Sequence, residues 1–145
     1  MKTIILSVIA LLFLISCEKD QPNYCGEYIG FTETYMAGVS QYNQARRTIT
    51  DNGEGTFKIH WWDSKDVNCY TVIENGEYLI TNVEILAEPY CFVVKSKHFY
   101  QYCGKGKFIG DSLVEEGIMY HYVDSLSTRI TVASTTWMGY FKRVH

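Results

Sequence analysis

The sequence predicts an all-β domain: an antiparallel, hairpin-linked barrel or a closely related β-sandwich of about nine or ten strands. Three observations predict it. Tyr, Phe and Trp number 12, 7 and 3 among 145 residues, a supply of β-forming aromatics that suits half-buried strands. Turn residues recur between short apolar stretches at roughly 8–12-residue spacing. No amphipathic helical period runs for more than a turn or two.

The first residues read as an address. Lys2 supplies a positive charge, residues 4–15 are almost unbroken apolar, and Leu14-Ile15-Ser16-Cys17 closes the run. A membrane-spanning helix needs about 20 apolar residues, so this shorter run reads as a signal peptide. The closing tetrad resembles the bacterial lipobox, in which a small residue precedes a cysteine that is acylated and becomes the N-terminus. That resemblance implies lipidation at Cys17 and anchoring to a bilayer, since each buried CH₂ contributes about 0.8 kcal/mol. Glu18-Lys19-Asp20 resembles, in part, the Lys-plus-acid tag of lipoproteins that Bacteroidota export to the cell surface. The expected organisation is a signal peptide over 1–16, an acylated cysteine and tether over 17–23, and one β-domain over 24–145. The expected location is the outer membrane, lipid-anchored, on its periplasmic or external side.

Composition narrows the partners. Lys and Arg total 13 against 16 Asp and Glu, without a basic stripe, which argues against nucleic acid. Cys25, Cys69, Cys91 and Cys103 follow Cys17. An even number of cysteines in an oxidising compartment predicts disulfides. Three pairings are possible. Residues 90–95 and 99–103 read as two strands around Ser96-Lys97-His98, which sets Cys91 opposite Cys103. Cys25–Cys69 follows by elimination.

The strands are expected in this order. Residues 28–36 alternate, and 37–45 read as a polar loop. Residues 46–50 and 56–62 form a hairpin around a five-residue loop, 51–55. Within it Phe57, Ile59 and Trp61 share the inner face, and Lys58, His60 and Trp62 the outer. Residues 68–74 and 77–86 flank Asn75-Gly76, a pair suited to the two positive φ angles of a type I′ turn. Ala87-Glu88-Pro89 interrupts, and the cysteine hairpin follows. Residues 107–109, 112–123, 129–134 and 136–144 complete the set, with 114–118 a candidate for a short helix.

Three fragments together support a family resemblance: Gly26-Glu27-Tyr28-Ile29-Gly30, then Gly104-Lys105-Gly106-Lys107-Phe108-Ile109-Gly110, and finally Gly139-Tyr140-Phe141-Lys142-Arg143. Their order resembles small Bacteroidota lipoproteins with lipocalin-like, calycin-type barrels. There an early Gly-x-aromatic opens the first strand, a Gly-x-Gly turn precedes a long strand, and a Gly-aromatic-Lys strand closes the barrel. Tyr28 stands where lipocalins carry tryptophan. The resemblance implies the fold and leaves the ligand open.

Catalytic and metal patterns do not stand out. Gly53 to Phe57 and Gly104 to Phe108 share Gly-x-Gly-x-Phe, but a phosphate loop needs a helix after it, so both read as turns. His121 and Asp124 are the nearest approach to a ligand pair, but His121, like His60, His98 and His145, reads as a solvated surface histidine, with His98 in a turn. Glu115 and Glu116 are sequence neighbours that point to opposite strand faces, which excludes a glycosidase pair, and they read as solvated. No cofactor and no metal are expected. Aromatics are the enriched chemistry. Trp62, Tyr100, Tyr102, Tyr120 and Tyr122 are the candidate contacts for a small apolar ligand, a glycan or a protein partner. The expected function is a non-catalytic binding module, with a surface enzyme or inhibitor and a structural envelope component as alternatives.

Overall fold

The computed structural model describes residues 22–36, 38–62, 67–87, 97–125 and 128–145. Among them the chain forms eight strands: β1 (Gly26–Met36), β2 (Val39–Gly53), β3 (Thr56–Trp61), β4 (Val67–Thr71), β5 (Glu77–Ala87), β6 (Lys97–Ile109), β7 (Ser112–Ser125) and β8 (Thr128–Arg143). They make one antiparallel sheet in the order β4-β3-β2-β1-β8-β7-β6-β5. Every neighbour is also the next strand in the chain, except where β8 returns to β1. The sheet therefore curls into a nearly closed up-and-down barrel, as the sequence predicts.

Among the described residues eight strands stand against the expected nine or ten: two pairs merge, and the strand expected over 90–95 lies outside those residues. Residues 97–109 run as one strand, and so do 128–143. Pairing with β7 runs in register through the expected break, with Met119 opposite Thr135, and the one bulge lies further on, between His121 and Tyr122. Residues 114–118, the helix candidate, lie inside β7. Residues 39–45, read as loop, belong to β2, because pairing with β1 continues from Gly26↔Ile49 out to Met36↔Val39. Polar composition misled there, since a strand with one wet face needs few apolar residues.

One turn behaves as its sequence dictates. Asn75 and Gly76 have φ of 52° and 79°, and Glu74 and Glu77 exchange both backbone hydrogen bonds at 2.9 Å. Between β2 and β3 the ladder runs further than expected, with Gly53 opposite Thr56 after a register shift. The second Gly-x-Gly is different. Gly104 and Gly106 lie within β6, opposite Gly117 and Glu115, and the turn that follows is Gly110-Asp111.

One seam is not laddered along its length. β4 and β5 are joined by side chains: Thr71 donates from Oγ1 to the Leu79 carbonyl at 3.1 Å, and the Thr81 backbone bonds the Cys69 sulfur. The opposite seam, β1 to β8, is regular from Tyr28↔Arg143 to Thr34↔Trp137.

The up-and-down path gives the barrel two unlike ends. The β2–β3, β4–β5 and β6–β7 turns and the N-terminal residues 22–25 share one end, which is sealed. Tyr24 lies across it, 4.6 Å from Phe108 and 6.2 Å from Phe57 between ring centres. Phe108 in turn packs on Tyr28 and Tyr78. Arg143 fastens the segment by donating to the carbonyls of Asn23 and Cys25. The connections β1–β2, β3–β4, β5–β6 and β7–β8 share the other end, the mouth.

Gly106 tests this packing. A Cβ there would lie 2.1 Å from the Tyr78 ring, whereas one at Gly55, in the β2–β3 turn, would meet nothing within 4 Å. Gly106→Val should destabilise the fold by about 1–3 kcal/mol or more through overpacking. Gly55→Ala should cost about 1 kcal/mol, from its positive φ alone. Urea denaturation of the two variants checks the order; equal losses would contradict the placement of Tyr78.

Candidate functional site

The barrel interior is built in layers, and its charge sits in the middle. Arg47 on β2 reaches across to Glu115 on β7, with Nε 2.9 Å from Oε2 and both side chains 0% exposed. Tyr78 on β5 donates to Glu115 Oε1 at 2.6 Å. It can do so because its register partner on β6 is Gly106, whose own partner on β7 is Glu115. The ring crosses β6 where no side chain stands. The neighbour of Glu115 on β8 is Gly139. The guanidinium of Arg47 lies between aromatic faces, 4.0 Å from Trp61 and 4.6 Å from Phe141. Burial first, then the Glu115 carboxylate, push the Tyr78 phenol well above its ordinary value. Glu115 thus corrects the sequence reading of a solvated acid.

Above this network, toward the mouth, Trp61, Trp137 and Tyr102 form an edge-on aromatic layer with centroids 5.5–5.6 Å apart. Met119 and Val83 pack with it in the same core. Beyond that layer the inward series turn from dry to wet. On β2, Ile49, Arg47 and Ala45 are buried, but Asn43 and Gln41, next in the same series, are exposed. On β8, Phe141, Gly139 and Trp137 are buried, Thr135 is half-buried and Ala133 exposed. On β1, Tyr28 is buried and Thr32 and Thr34 are half-buried. Solvent therefore enters the barrel from the mouth.

The wall of this open half carries Tyr102, Tyr100 and His98 on β6 and His121 on β7. All four are half-buried. His98 Nδ1 lies 2.9 Å from His121 Nε2, and Tyr100 stacks on the His121 ring with centres 4.9 Å apart at 29°. Burial, and then His98, hold the His121 imidazole below its ordinary value, which favours the neutral ring. The site can therefore offer aromatic faces, a methionine and the His121 imidazole to a guest, over a floor of two indoles. The indole N–H groups of Trp61 and Trp137 are buried there without a hydrogen-bond partner among the described residues.

The predicted contact residues divide between two surfaces. Tyr100 and Tyr102 face inward. Trp62 is on the outer wall and half exposed, donating from Nε1 to Thr48 Oγ1 at 2.9 Å and packed against His60. Tyr120 and Tyr122 pair on the outside at 6.1 Å. There Arg129 lies over Tyr122 and Phe99 and bonds Asp124 and Glu84. Asp124 is thus the partner of Arg129 rather than of His121. His98 stands in β6, not in a turn, and partners His121; neither is a fully solvated histidine.

The expected Cys25–Cys69 bridge does not appear among the described residues. Cys25 and Cys69 are free thiols. Two strands separate β1 from β4, a gap of about 14 Å at the ordinary strand spacing, against the 7 Å or less that a disulfide tolerates. Burial raises the Cys69 thiol above its ordinary value. Cys91 lies outside the described residues, as does Cys17. The strand expected over 90–95, which was to bring Cys91 to Cys103, also lies outside the described residues. The edges of β6 over 99–102 are taken, with Tyr100 opposite Ile85 on β5 and His121 on β7.

No protein-family model, curated protein or solved structure matches the chain. The structure by itself defines the class: among the described residues, a nearly closed eight-stranded antiparallel barrel, charged within, with a packed N-terminal segment across one end and an aromatic wall toward the other.

Two outcomes test the interior. Arg47→Met alone should destabilise by about 3–5 kcal/mol, because it strands a buried carboxylate. Arg47→Met with Glu115→Leu should restore much of that loss; full additivity in chemical denaturation would contradict the pairing. Tyr78 gives a pH signature. Its raised value means the folded state keeps a proton that the unfolded chain releases near pH 10. Stability is complete below that pH and declines as pH rises above it. Tyr78→Phe should flatten this alkaline decline, as read from denaturation midpoints between pH 8 and about pH 11.

Proposed function

We propose that the chain is an exported lipoprotein, held to the outer membrane by acyl chains on Cys17, whose barrel is a non-catalytic binding module for a small, largely apolar ligand entering at the mouth. The observation that carries the binding reading is the passage of the inward series from buried to exposed above the Trp61–Trp137–Tyr102 layer. A concave, mostly apolar wall with a few converging polar groups is what small-ligand sites share. The lipid anchor rests on the N-terminal signal and on the resemblance to calycin-type Bacteroidota lipoproteins, for which an up-and-down barrel is the implied fold.

The tether sets the orientation. Residues 23–25 are fastened at the sealed end. From Cys17 to Pro22 the chain spans at most about 18 Å. Strands as long as β8, 16 residues, tilted as in barrels, stand roughly 35 Å tall. The sealed end then faces the membrane and the mouth faces away. Ligand arrives from the aqueous side rather than from the anchoring bilayer.

A second reading, contact with a protein or glycan through the outer wall, is favoured by exposed Ile29, Phe31, Tyr35, Val39 and Tyr42 on the β1–β2 hairpin. One experiment separates the two. The apolar dye anilinonaphthalene sulfonate should bind and accept energy from the interior tryptophans. Tyr102→Ala should weaken it by about 1–2 kcal/mol, roughly 5–30-fold, while Trp62→Ala leaves it unchanged. The reverse pattern would move the site to the outer wall. Separately, Cys17→Ser should release the protein from the membrane fraction; retention would end the anchor reading.

A further inference from the structure

The histidine pair at the mouth shares one proton between two rings. His98 Nδ1 and His121 Nε2 meet at 2.9 Å from adjacent strands, on the inner face where Tyr100 also stands. A neutral imidazole has one donor and one acceptor nitrogen, so one N–H lies between the rings and the tautomer decides which ring holds it. The outward nitrogens, His98 Nε2 and His121 Nδ1, are then one donor and one acceptor. One further proton, taken from solvent, makes both of them donors. It keeps the shared bond and gives the pair a positive charge. We infer that His98 and His121 receive the acidic head group of the guest, a medium-length alkyl carboxylate, and take up a proton as it binds. The inference rests on the binding reading of the cup.

The described wall around the pair brings no competing charge. Above the Trp61–Trp137–Tyr102 layer the other inward side chains, Thr32, Asn43, Met119 and Thr135 among them, are uncharged. Tyr100, stacked on the His121 ring, is the other titratable group against the pair. On β8, Ala133 stands opposite His121. The nearby acids are engaged elsewhere. Asp124 on β7 and Glu84 on β5 both bond Arg129 on the outer wall. Glu33 on β1 accepts from Tyr42, and Glu115 holds Arg47 and Tyr78 below the layer. Among the described residues, then, charge enters the upper cup at neutral or acid pH only through the pair, and only as a positive one. Burial, and then His98, hold the His121 ring below its ordinary value in the empty cup. A carboxylate beside it reverses that balance, because an opposite charge favours the protonated ring. The resulting charge-assisted hydrogen bond is roughly twice as strong as a neutral one, and the Tyr100 face supports the imidazolium. Tyr102 in the floor and His98 at the rim are four residues apart on β6, at most about 13 Å, a span that suits a medium-length alkyl chain. An alcohol would bond the pair without a proton, and a cation would be repelled by it. The competing account is a purely structural bond that joins β6 to β7 at the mouth.

The test uses the full chain, the uncharged dye N-phenyl-1-naphthylamine, and three competitors with one tail: decanoic acid, decan-1-ol and decylamine. Decanoic acid should displace the dye at a roughly 3–10-fold lower concentration at about pH 6 than at about pH 8, since uptake of one proton changes affinity by at most about tenfold per pH unit. Decan-1-ol should show no such change, and decylamine should be the weakest of the three at the lower pH. The double variant His98→Gln with His121→Gln keeps polar side chains but cannot take the proton. It should lose the pH dependence for decanoic acid and leave decan-1-ol unchanged, while His60→Gln changes neither. Acid and alcohol with the same pH profile, decylamine equal to decanoic acid, or a pH dependence that survives in the double variant would each overturn the assignment and leave the cup reading standing. A dye that does not bind, or that none of the three displaces, would overturn the cup reading itself. If the double variant fails to fold, calorimetry of the wild-type protein in two buffers of different ionisation enthalpy decides. Proton uptake with decanoic acid and none with decan-1-ol, with the ring signals of His98 and His121 moving ahead of those of His60 and His145, supports the site. No uptake, or the opposite order, overturns it.

Discussion

The buried contact between Arg47 and Glu115 is the constraint around which the barrel is arranged. Two charges in a dry interior carry a desolvation cost of several kcal/mol each, which close pairing and hydrogen bonding offset. The neighbouring side chains serve that requirement. Tyr78 occupies the second carboxylate oxygen, Gly106 clears its path, and Trp61 and Phe141 cover the faces of the guanidinium. Such a pair adds little net stability over an apolar core of equal volume. What it does is penalise alternatives: a register slip by one residue on β2 or β7 would carry a charge to the other face and leave its partner buried alone. The same contact ties β2 to β7, strands on opposite sides of the β1–β8 seam, and so holds the curl of a sheet whose β4–β5 seam has few backbone bonds.

This network also divides the interior. Below it, Tyr24, Phe57, Phe108 and Tyr28 fill the barrel, and the N-terminal segment closes it. Above it, the Trp61–Trp137–Tyr102 layer ends the dry core and the wall becomes wet. The rigid half positions the wall of the open half, as binding sites require of their supports. The N-terminal segment is fastened at the rigid end, at the opposite pole from the aromatic wall.

Local chemistry accounts for what the sequence made readable. The Asn75-Gly76 turn, the inward set Phe57, Ile59 and Trp61, and the outward Trp62 follow from φ preferences and from the two-residue strand period, which act over a few residues. The same alternation marks Arg47, flanked at two-residue spacing by Ala45 and Ile49, as an inward charge; the habit of placing charges outside obscured it. Glu115 was harder to find. Its burial depends on a glycine on either side in the sheet, Gly106 and Gly139, and those neighbours come from strands that sequence spacing does not align.

The sequence alone determined that this chain is all-β, antiparallel and hairpin-linked, because backbone conformation and side-chain alternation are local properties. Only the tertiary structure decided which strands merge, which thiols stay apart, and which aromatics share a wall. It split Tyr100 and Tyr102 from Trp62, Tyr120 and Tyr122, and set His98 against His121 across 23 residues of chain. The reason is physical. Register and closure are set by contacts across the barrel, where the cost of one buried charge outweighs the preferences of any single strand.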